Sequence, residues 1–180
     1  MLGSQSHNIV DLGGVPQFWD DCPRHLNITI VNLPGATEQR PSHHSCHMVE
    51  GDACALPFLA DKSFEIAFSN SVIEHVGDEA RQEAFVAEVR RLGRGYCVLT
   101  PCMWFPIEAH TGMPLWWQYP ESVRQQLIAK WRKTLPAWAD YIAGTRVLTE
   151  KRMRTLFPDG EIYIERMAGL PKSITAYCPS

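Results

Sequence analysis

Short apolar runs, separated by polar or glycine-containing turns, dominate the first two thirds of the chain. The runs are rich in valine and isoleucine and are bounded by turn-forming residues, a pattern typical of β-strands. This pattern predicts strands at residues 8–12, 27–33, 48–51, 64–68 and 96–100.

Helical spacing begins after the fourth predicted strand. Asp78 is suited to cap a helix, and Gly93 is suited to end it. Between them, Phe85, Val89 and Leu92 recur at the spacing of one apolar helix face. Two more helices are predicted by the same reasoning. One begins at Pro120, with Val123, Leu127, Ile128 and Trp131 on one face, and one runs from Thr149 to Leu156.

The last part of the chain contains two partly alternating runs, at residues 161–167 and 173–177. The residues between them include Gly169 and Pro171, which favour a turn. The spacing predicts a closing antiparallel pair of strands.

The densest group of signals lies at residues 49–76. Gly51-Asp52-Ala53 places a carboxylate on a turn, and Leu56-Pro57-Phe58 forms an apolar turn that Pro57 keeps out of a helix. Ser63-Phe64-Glu65 opens a strand, and Glu74-His75-Val76 follows it. This order resembles the middle of a class I S-adenosylmethionine-dependent methyltransferase, although Glu65 stands where Asp is usual.

The resemblance implies an α/β fold, a Rossmann-like three-layer sandwich. Its seven-stranded sheet is mostly parallel with an antiparallel last strand, and right-handed crossovers would place helices on both faces. We expect one domain over residues 1–180, with a tryptophan-rich insertion at residues 101–145.

The resemblance also implies S-adenosylmethionine as the cofactor and methyl donor. In this family the loop after the first strand contacts the donor. Asp11, Gly13 and Gly14 match that loop, while Val15 and Gln17 replace its second and third glycines. These replacements leave open how closely the loop approaches the donor.

The ends of the next strands supply the other implied donor contacts. Asn32 stands where the family has an acidic residue that binds the ribose hydroxyls, and its neutral amide binds them more weakly. The resemblance assigns the adenine to Asp52 and the Ala53 backbone N–H, and places Ser69 and Asn70 beside the donor.

The insertion holds five of the six tryptophans together with Glu108 and His110. An insertion that leaves the carboxyl end of a strand lies over the ligand crevice of an α/β sheet. The residues at 104–117 are therefore expected to form the acceptor side of the site, unless the tryptophans only attach the insertion to the sheet. Glu108, His110 and His75 are the candidate catalytic residues. The expected acceptor is a small molecule or is glycan-like.

Composition and charge limit the kinds of partner and the cellular location that we expect for this protein. A net charge of −3 does not favour a nucleic-acid partner, and no apolar run reaches the 18 residues of a membrane span. The N-terminus lacks the features of a signal peptide, and the six cysteines form no CxxC pair, so we expect a cytoplasmic protein. No metal site is predicted, because the potential ligands at 43–47 crowd one short stretch. The oligomeric state stays open.

Two other functions remain as alternatives. A methyltransferase fold without catalysis could bind a partner through the insertion, since two loop glycines and the ribose carboxylate are replaced. A dinucleotide-dependent oxidoreductase would need G-x-G-x-x-G after the first strand, and residues 13–18 do not supply it.

Overall fold

The computed structural model describes residues 7–36 and 41–180, and within them seven strands form one sheet. The strand order is β3-β2-β1-β4-β5-β7-β6, and β7 runs antiparallel to both of its neighbours. The strands are β1 His7–Leu12, β2 Leu26–Asn32, β3 Ser45–Glu50, β4 Phe64–Asn70, β5 Gly93–Pro101, β6 Glu161–Met167 and β7 Leu170–Cys178. The predicted sheet is confirmed.

The strand order fixes where a ligand crevice lies. The chain moves outward from β1 to β2 and β3, then returns to pair β4 with the other side of β1. Ligands of open α/β sheets bind outside the carboxyl ends of the strands at such a reversal. The crevice therefore lies at the ends of β1, β2 and β4, beside Leu12, Asn32 and Asn70.

Four α-helices lie in the described part of the chain: α1 Glu79–Leu92, α2 Glu121–Arg132, α3 Pro136–Gly144 and α4 Glu150–Leu156. The Asp78 carboxylate accepts a hydrogen bond from Arg81 N (3.0 Å), and the Thr149 hydroxyl accepts one from Arg152 N (3.1 Å), as predicted for two N-caps. Gly93 ends α1 in an extended conformation and begins β5 at once. A side chain at Gly93 would collide with the backbone of β4, which is why glycine is needed there.

The two faces of the sheet are covered unequally. Helices α1 and α4 enclose the main core on one face, with Phe85, Val89 and Met153 fully buried. The other face carries a smaller cluster around Ile28 and Ile30, which Trp19 of the 3₁₀ helix Pro16–Trp19 covers. We expected helices on both faces. A single 3₁₀ turn occupies the connection from β1 to β2, because the connection is short and contains prolines.

The insertion between β5 and α4 has an apolar cluster of its own. The 3₁₀ helix Trp116–Gln118, α2 and α3 pack around Trp116, Ile128, Ala139 and Ile142. Trp131 stacks on Trp116 at a ring distance of 5.3 Å. Most of the tryptophans therefore hold the insertion together, while Trp104 is 63% exposed.

Several segment boundaries differ from the prediction. The third strand begins at Ser45 rather than at residue 48, and residues 37–40, which precede it, lie outside the described residues. The turn between β6 and β7 uses the left-handed conformation at Ala168 and Gly169.

No helix in residues 7–36 and 41–180 is long and apolar enough to cross a membrane.

Candidate active site

The loop after β1 is a tight turn that rests on a buried carboxyl group. Gly13 has φ +83° and donates its N–H to Val31 O (2.8 Å). Asp11 is buried beneath Gly14, so close that a side chain at Gly14 would overlap its carboxyl group. Trp19 Nε1 donates to Asp11 Oδ2 (2.8 Å), while Asp11 Oδ1 has no hydrogen-bond partner within the described residues. Burial raises the pKa of Asp11 to about 7. Because its carboxyl group lies directly beneath Gly14, Asp11 supports the loop from below.

Asn32 ties the end of β2 to the same loop. Its side-chain Nδ2 donates to Gly14 O (2.9 Å), which turns the amide oxygen away from that bond and leaves it as an acceptor. Gly51 N donates to Asn32 O (2.8 Å), joining the ends of β2 and β3. Asn32 therefore positions the loop through its donor and offers the crevice an acceptor.

Asp52 lies on a turn whose geometry is fixed from two sides. Its Oδ1 accepts from Cys54 N (2.9 Å), and Arg81 Nη2 donates to both carboxylate oxygens (2.8 and 2.7 Å). Partial burial raises the pKa of Asp52, but the Cys54 N–H and the Arg81 guanidinium outweigh it and lower the pKa below its ordinary value. The carboxylate is thus held ionised beside the Ala53 backbone.

The end of β4 braces the crevice and borders a cavity. The Ser69 side chain is buried, and its hydroxyl donates to Leu12 O (2.9 Å), which binds β4 to the end of β1. Asn70 accepts a hydrogen bond from the Ser71 hydroxyl (3.1 Å). Asn70 also lines a cavity of about 540 Å³, together with Phe105, Ile107, Glu108 and Trp117.

Four side chains, which we call the histidine cluster, meet where β4 leads into α1: Glu74, His75, Glu108 and His110. His75 Nε2 lies 3.0 Å from His110 Nε2, although the two residues come from different segments. Glu108 fixes His110, because its carboxylate accepts from the backbone N–H (2.9 Å) and bonds the ring at Nδ1 (2.7 Å).

Electrostatics differ between the members of the cluster. Burial raises the pKa of Glu74 to about 7, and Thr100 Oγ1 donates to its Oε2 (3.1 Å). Burial, aided by the nearby His110, lowers the pKa of His75 to about 4. Burial lowers the pKa of His110, but the bond to Glu108 outweighs it and the net direction is upward. The cluster thus contains a neutral imidazole beside one that favours its charged form.

The structure brings together all three predicted catalytic residues, because Glu108 and His110 meet His75. Sequence patterns did not indicate the residues that surround them. Glu74 adjoins His75 in the sequence and could have been included on that ground, whereas Tyr141, whose hydroxyl lies 2.8 Å from His75 Nε2, follows no recognisable pattern. Arg81, which is exposed on α1 and pairs with Asp52, was not among the predicted site residues.

The stretch at 43–47 makes internal contacts of its own. His44 is buried, with Nδ1 accepting from Leu26 N (3.3 Å) and Nε2 lying 2.7 Å from Trp19 O. His43 Nε2 lies 2.9 Å from Cys22 O. These contacts engage both rings in binding the loops around β2.

Comparisons with known proteins identify a matching domain. Residues 25–99 match the family model of the methyltransferase domain. This range contains Asn32, Asp52, Ser69 and His75. No curated protein sequence matches the chain.

Solved structures of methyltransferases share the fold. An S-adenosylmethionine-dependent methyltransferase from Methanosarcina mazei is 12% identical, with a TM-score of 0.54 over 96% of this chain and 91% of that one. A phosphoethanolamine N-methyltransferase from Haemonchus contortus, solved with S-adenosylmethionine, is 10% identical, with a TM-score of 0.59 over 97% and 49%. An O-methyltransferase family protein from Burkholderia thailandensis is 14% identical, with a TM-score of 0.58 over 99% and 53%. The chain spans about half the length of the last two.

At these identities the solved structures establish the fold, and the matched domain adds the evidence from sequence. The seven-stranded, mostly parallel sheet with its antiparallel β7 is the one that the resemblance implied. Residues 25–99 therefore resemble the methyltransferase domain, and the chain has the fold of the S-adenosylmethionine-dependent methyltransferases with which it was compared.

Proposed function

We propose that this chain transfers a methyl group from S-adenosylmethionine to a small-molecule acceptor at the carboxyl edge of the sheet. One observation carries the proposal. Val72 packs directly against Gly13 of the β1 loop, and the histidine cluster begins two residues later at Glu74. The donor loop and the polar cluster are therefore neighbours, as an in-line transfer between two bound substrates requires.

The donor side of the proposed site extends over the ends of β1, β2 and β3. The turn at Gly13 and Gly14 lets the backbone approach the methionine part of the donor, while Asp11 supports that turn from below. The Asn32 amide oxygen accepts from a ribose hydroxyl, a neutral hydrogen bond worth about 1 kcal/mol.

The adenine lies against the third strand in this proposal. Asp52 accepts from the adenine amino group, since each carboxylate oxygen has more than one lone pair and stays available beside Arg81. The Ala53 N–H donates to a ring nitrogen. Asn70 borders the donor and the cavity, and Ser69 contributes by holding the β1 loop in place. These residues fit the donor, with weaker ribose binding than an acidic residue would give.

The acceptor side lies in the cavity of about 540 Å³, where Glu108 forms part of the wall. Apolar side chains such as Phe105 and Ile107 supply contact area, and the polar side chains of the lining fix orientation, as in most small-molecule sites. His110 and His75 are proposed to contact the group that receives the methyl, with Glu108 orienting His110. A small or glycan-like acceptor fits this volume, and the net charge of −3 favours it over a nucleic acid.

The chemistry required of the protein is mainly alignment. S-adenosylmethionine supplies an activated sulfonium methyl group. The residues of the site hold the two substrates in line, exclude water from the reacting atoms and receive the proton of a hydroxyl or amine acceptor.

We also propose a cytoplasmic location, which the six free thiols support.

Calorimetric titration with S-adenosylhomocysteine tests the donor side of the proposal. We expect saturable binding with one site per chain. A folded protein that releases no binding heat at millimolar ligand would contradict the proposal and favour a methyltransferase fold that serves as a binding module.

A further inference from the structure

Three metal-binding atoms of the histidine cluster converge on one point. His75 Nε2 and His110 Nε2 lie 3.0 Å apart, and Glu74 Oε1 lies 4.0 Å from the first and 3.8 Å from the second. A point equidistant from these three atoms is about 2.1 Å from each, which is the length of Zn–N and Zn–O bonds. Without any movement of the side chains, the three atoms surround a site of the size of a zinc ion.

The outward-facing atoms of the same three residues have partners of the kind that support metal ligands. Glu108 Oε1 bonds His110 Nδ1 (2.7 Å), and Thr145 Oγ1 lies 3.4 Å from His75 Nδ1. Thr100 holds the other oxygen of Glu74. Both ring contacts suit a ring proton on Nδ1, and in that tautomer the Nε2 lone pair of each histidine faces inward, as a metal ligand requires.

The inward-facing atoms, in contrast, are poorly satisfied by one another. Glu74 is fully buried, and its Oε1 has no hydrogen-bond partner within the described residues. His75 Nε2 has a single lone pair or a single proton, yet it faces both His110 Nε2 (3.0 Å) and the Tyr141 hydroxyl (2.8 Å). A buried carboxylate oxygen without a partner is costly, and a cation between these atoms would remove that cost.

We propose that Glu74, His75 and His110 form a binding site for a divalent zinc-type ion. Two imidazoles and one carboxylate are a ligand set of catalytic zinc sites, which keep a further position open. Imidazole ligands also favour such ions over magnesium or calcium. The histidine side chains are 17% and 9% exposed, so the ion has a route of entry that the buried glutamate alone would not provide.

The role of the ion rests on the proposed function, whereas its binding does not. With the ion bound, His75 and His110 would act on the acceptor through the metal rather than by direct contact. The open position would hold the acceptor hydroxyl as an anion, because a bound zinc ion lowers the pKa of such a group, and the proton would pass to solvent instead of to an imidazole. The acceptor anion then forms a bond to the methyl carbon as the sulfonium–carbon bond breaks. The electron pair of that bond returns to sulfur, and neutral S-adenosylhomocysteine results.

The test is a zinc titration of chelator-treated protein, read by calorimetry and by metal analysis after dialysis. Substitution with Co²⁺ gives an independent readout through its visible absorption. We expect one ion per chain in the unaltered protein, and an affinity weakened about 100-fold or more by His75→Ala and by Glu74→Gln. His75→Ala keeps the test decisive if the buried Glu74→Gln variant does not fold.

The matched controls are His43→Ala and His47→Ala, which alter exposed histidines of the other histidine-rich stretch. We expect both to retain the ion. Absence of binding to the unaltered protein, or binding that His43→Ala or His47→Ala removes while His75→Ala does not, would overturn the assignment. Titration with S-adenosylhomocysteine on the same samples separates the two proposals: zinc binding without nucleoside binding supports the metal site and contradicts the proposed function.

Discussion

Arg81 holds the Asp52 carboxylate by both oxygens, at 2.8 and 2.7 Å, and joins α1 to the turn after β3. The pair is half exposed, so its direct contribution to the free energy of unfolding is small. The main effect of the ion pair is to fix the position of the Asp52 carboxylate. Together with the Cys54 N–H, Arg81 restricts the directions in which Asp52 can accept a hydrogen bond from a ligand.

Asp52→Ala should weaken S-adenosylhomocysteine binding about tenfold or more, since it removes a hydrogen bond worth about 1–3 kcal/mol. Arg81→Ala should weaken it less, because Cys54 still orients the carboxylate. Calorimetry measures both. Asp159→Ala is the matched control, since Asp159 is an exposed carboxylate paired with Arg90 away from the crevice. Unchanged affinity in a folded Asp52→Ala protein would remove Asp52 from the donor site.

Asn32→Asp tests the ribose contact. From the sequence alone, a restored carboxylate at residue 32 should tighten nucleoside binding. The structure changes that expectation, because the Asn32 side chain donates to Gly14 O and a carboxylate would face this carbonyl without a proton. We now expect a lower melting temperature and no gain in affinity. Tighter binding at an unchanged melting temperature would show that the bond to Gly14 is dispensable.

Asp11 should make stability depend on pH. Its pKa of about 7 in the folded protein exceeds the ordinary value of 3.8, so the folded state binds the proton more tightly. Its stabilising contribution is complete below about pH 4 and falls as the pH rises through 7, by a total of about 4 kcal/mol.

Asp11→Asn removes this dependence and keeps an acceptor for Trp19 Nε1. In urea unfolding at pH 5 and pH 8, the variant should gain stability relative to the unaltered protein as the pH rises. Parallel pH profiles of the two proteins would contradict a protonated Asp11. Asp20→Asn, a change at a carboxylate for which no such burial exists, provides the control.

His110→Ala distinguishes a catalytic residue from a brace once an acceptor is known. If His110 contacts the reacting group, turnover should fall on the order of 100-fold or more, with donor affinity and melting temperature nearly unchanged. If the pairing of His110 with Glu108 only holds the loop, the melting temperature should fall while turnover per folded molecule stays intact. Initial rates and thermal unfolding on the same samples decide between the two.

The tryptophans of the insertion should differ sharply in their effect on stability. Trp116 is 2% exposed and stacks on Trp131, so Trp116→Ala should cost about 3–5 kcal/mol of unfolding free energy. Trp104 is exposed, and Trp104→Ala should change stability by less than about 0.5 kcal/mol. Equal losses in urea unfolding would mean that the insertion does not have the described core.

The sequence was most informative where local rules act alone. The apolar runs predicted the strands, and Asp78 and Thr149 predicted two helix starts, because caps and strand periodicity depend on neighbouring residues. The sequence did not predict that a single 3₁₀ helix covers the second face of the sheet. That cover depends on the contacts of Trp19 with Asp11 and Phe68, which no local sequence rule gives.

The site was harder to predict, because its members are distant in sequence. His75 and His110 were both candidates, but nothing in their spacing places their Nε2 atoms 3.0 Å apart. Their approach depends on the path of the insertion from β5 back over the end of β4. The same path brings Tyr141 of α3 to His75, and no local rule connects a helical tyrosine with that histidine.

A crystal structure of the protein with S-adenosylhomocysteine tests the central claim most directly. We expect the adenine edge at Asp52 and Ala53, the ribose at Asn32, and the sulfur atom facing His75 and His110 across the end of β4. A nucleoside bound elsewhere, or bound with its sulfur turned away from the two histidines, would contradict the account.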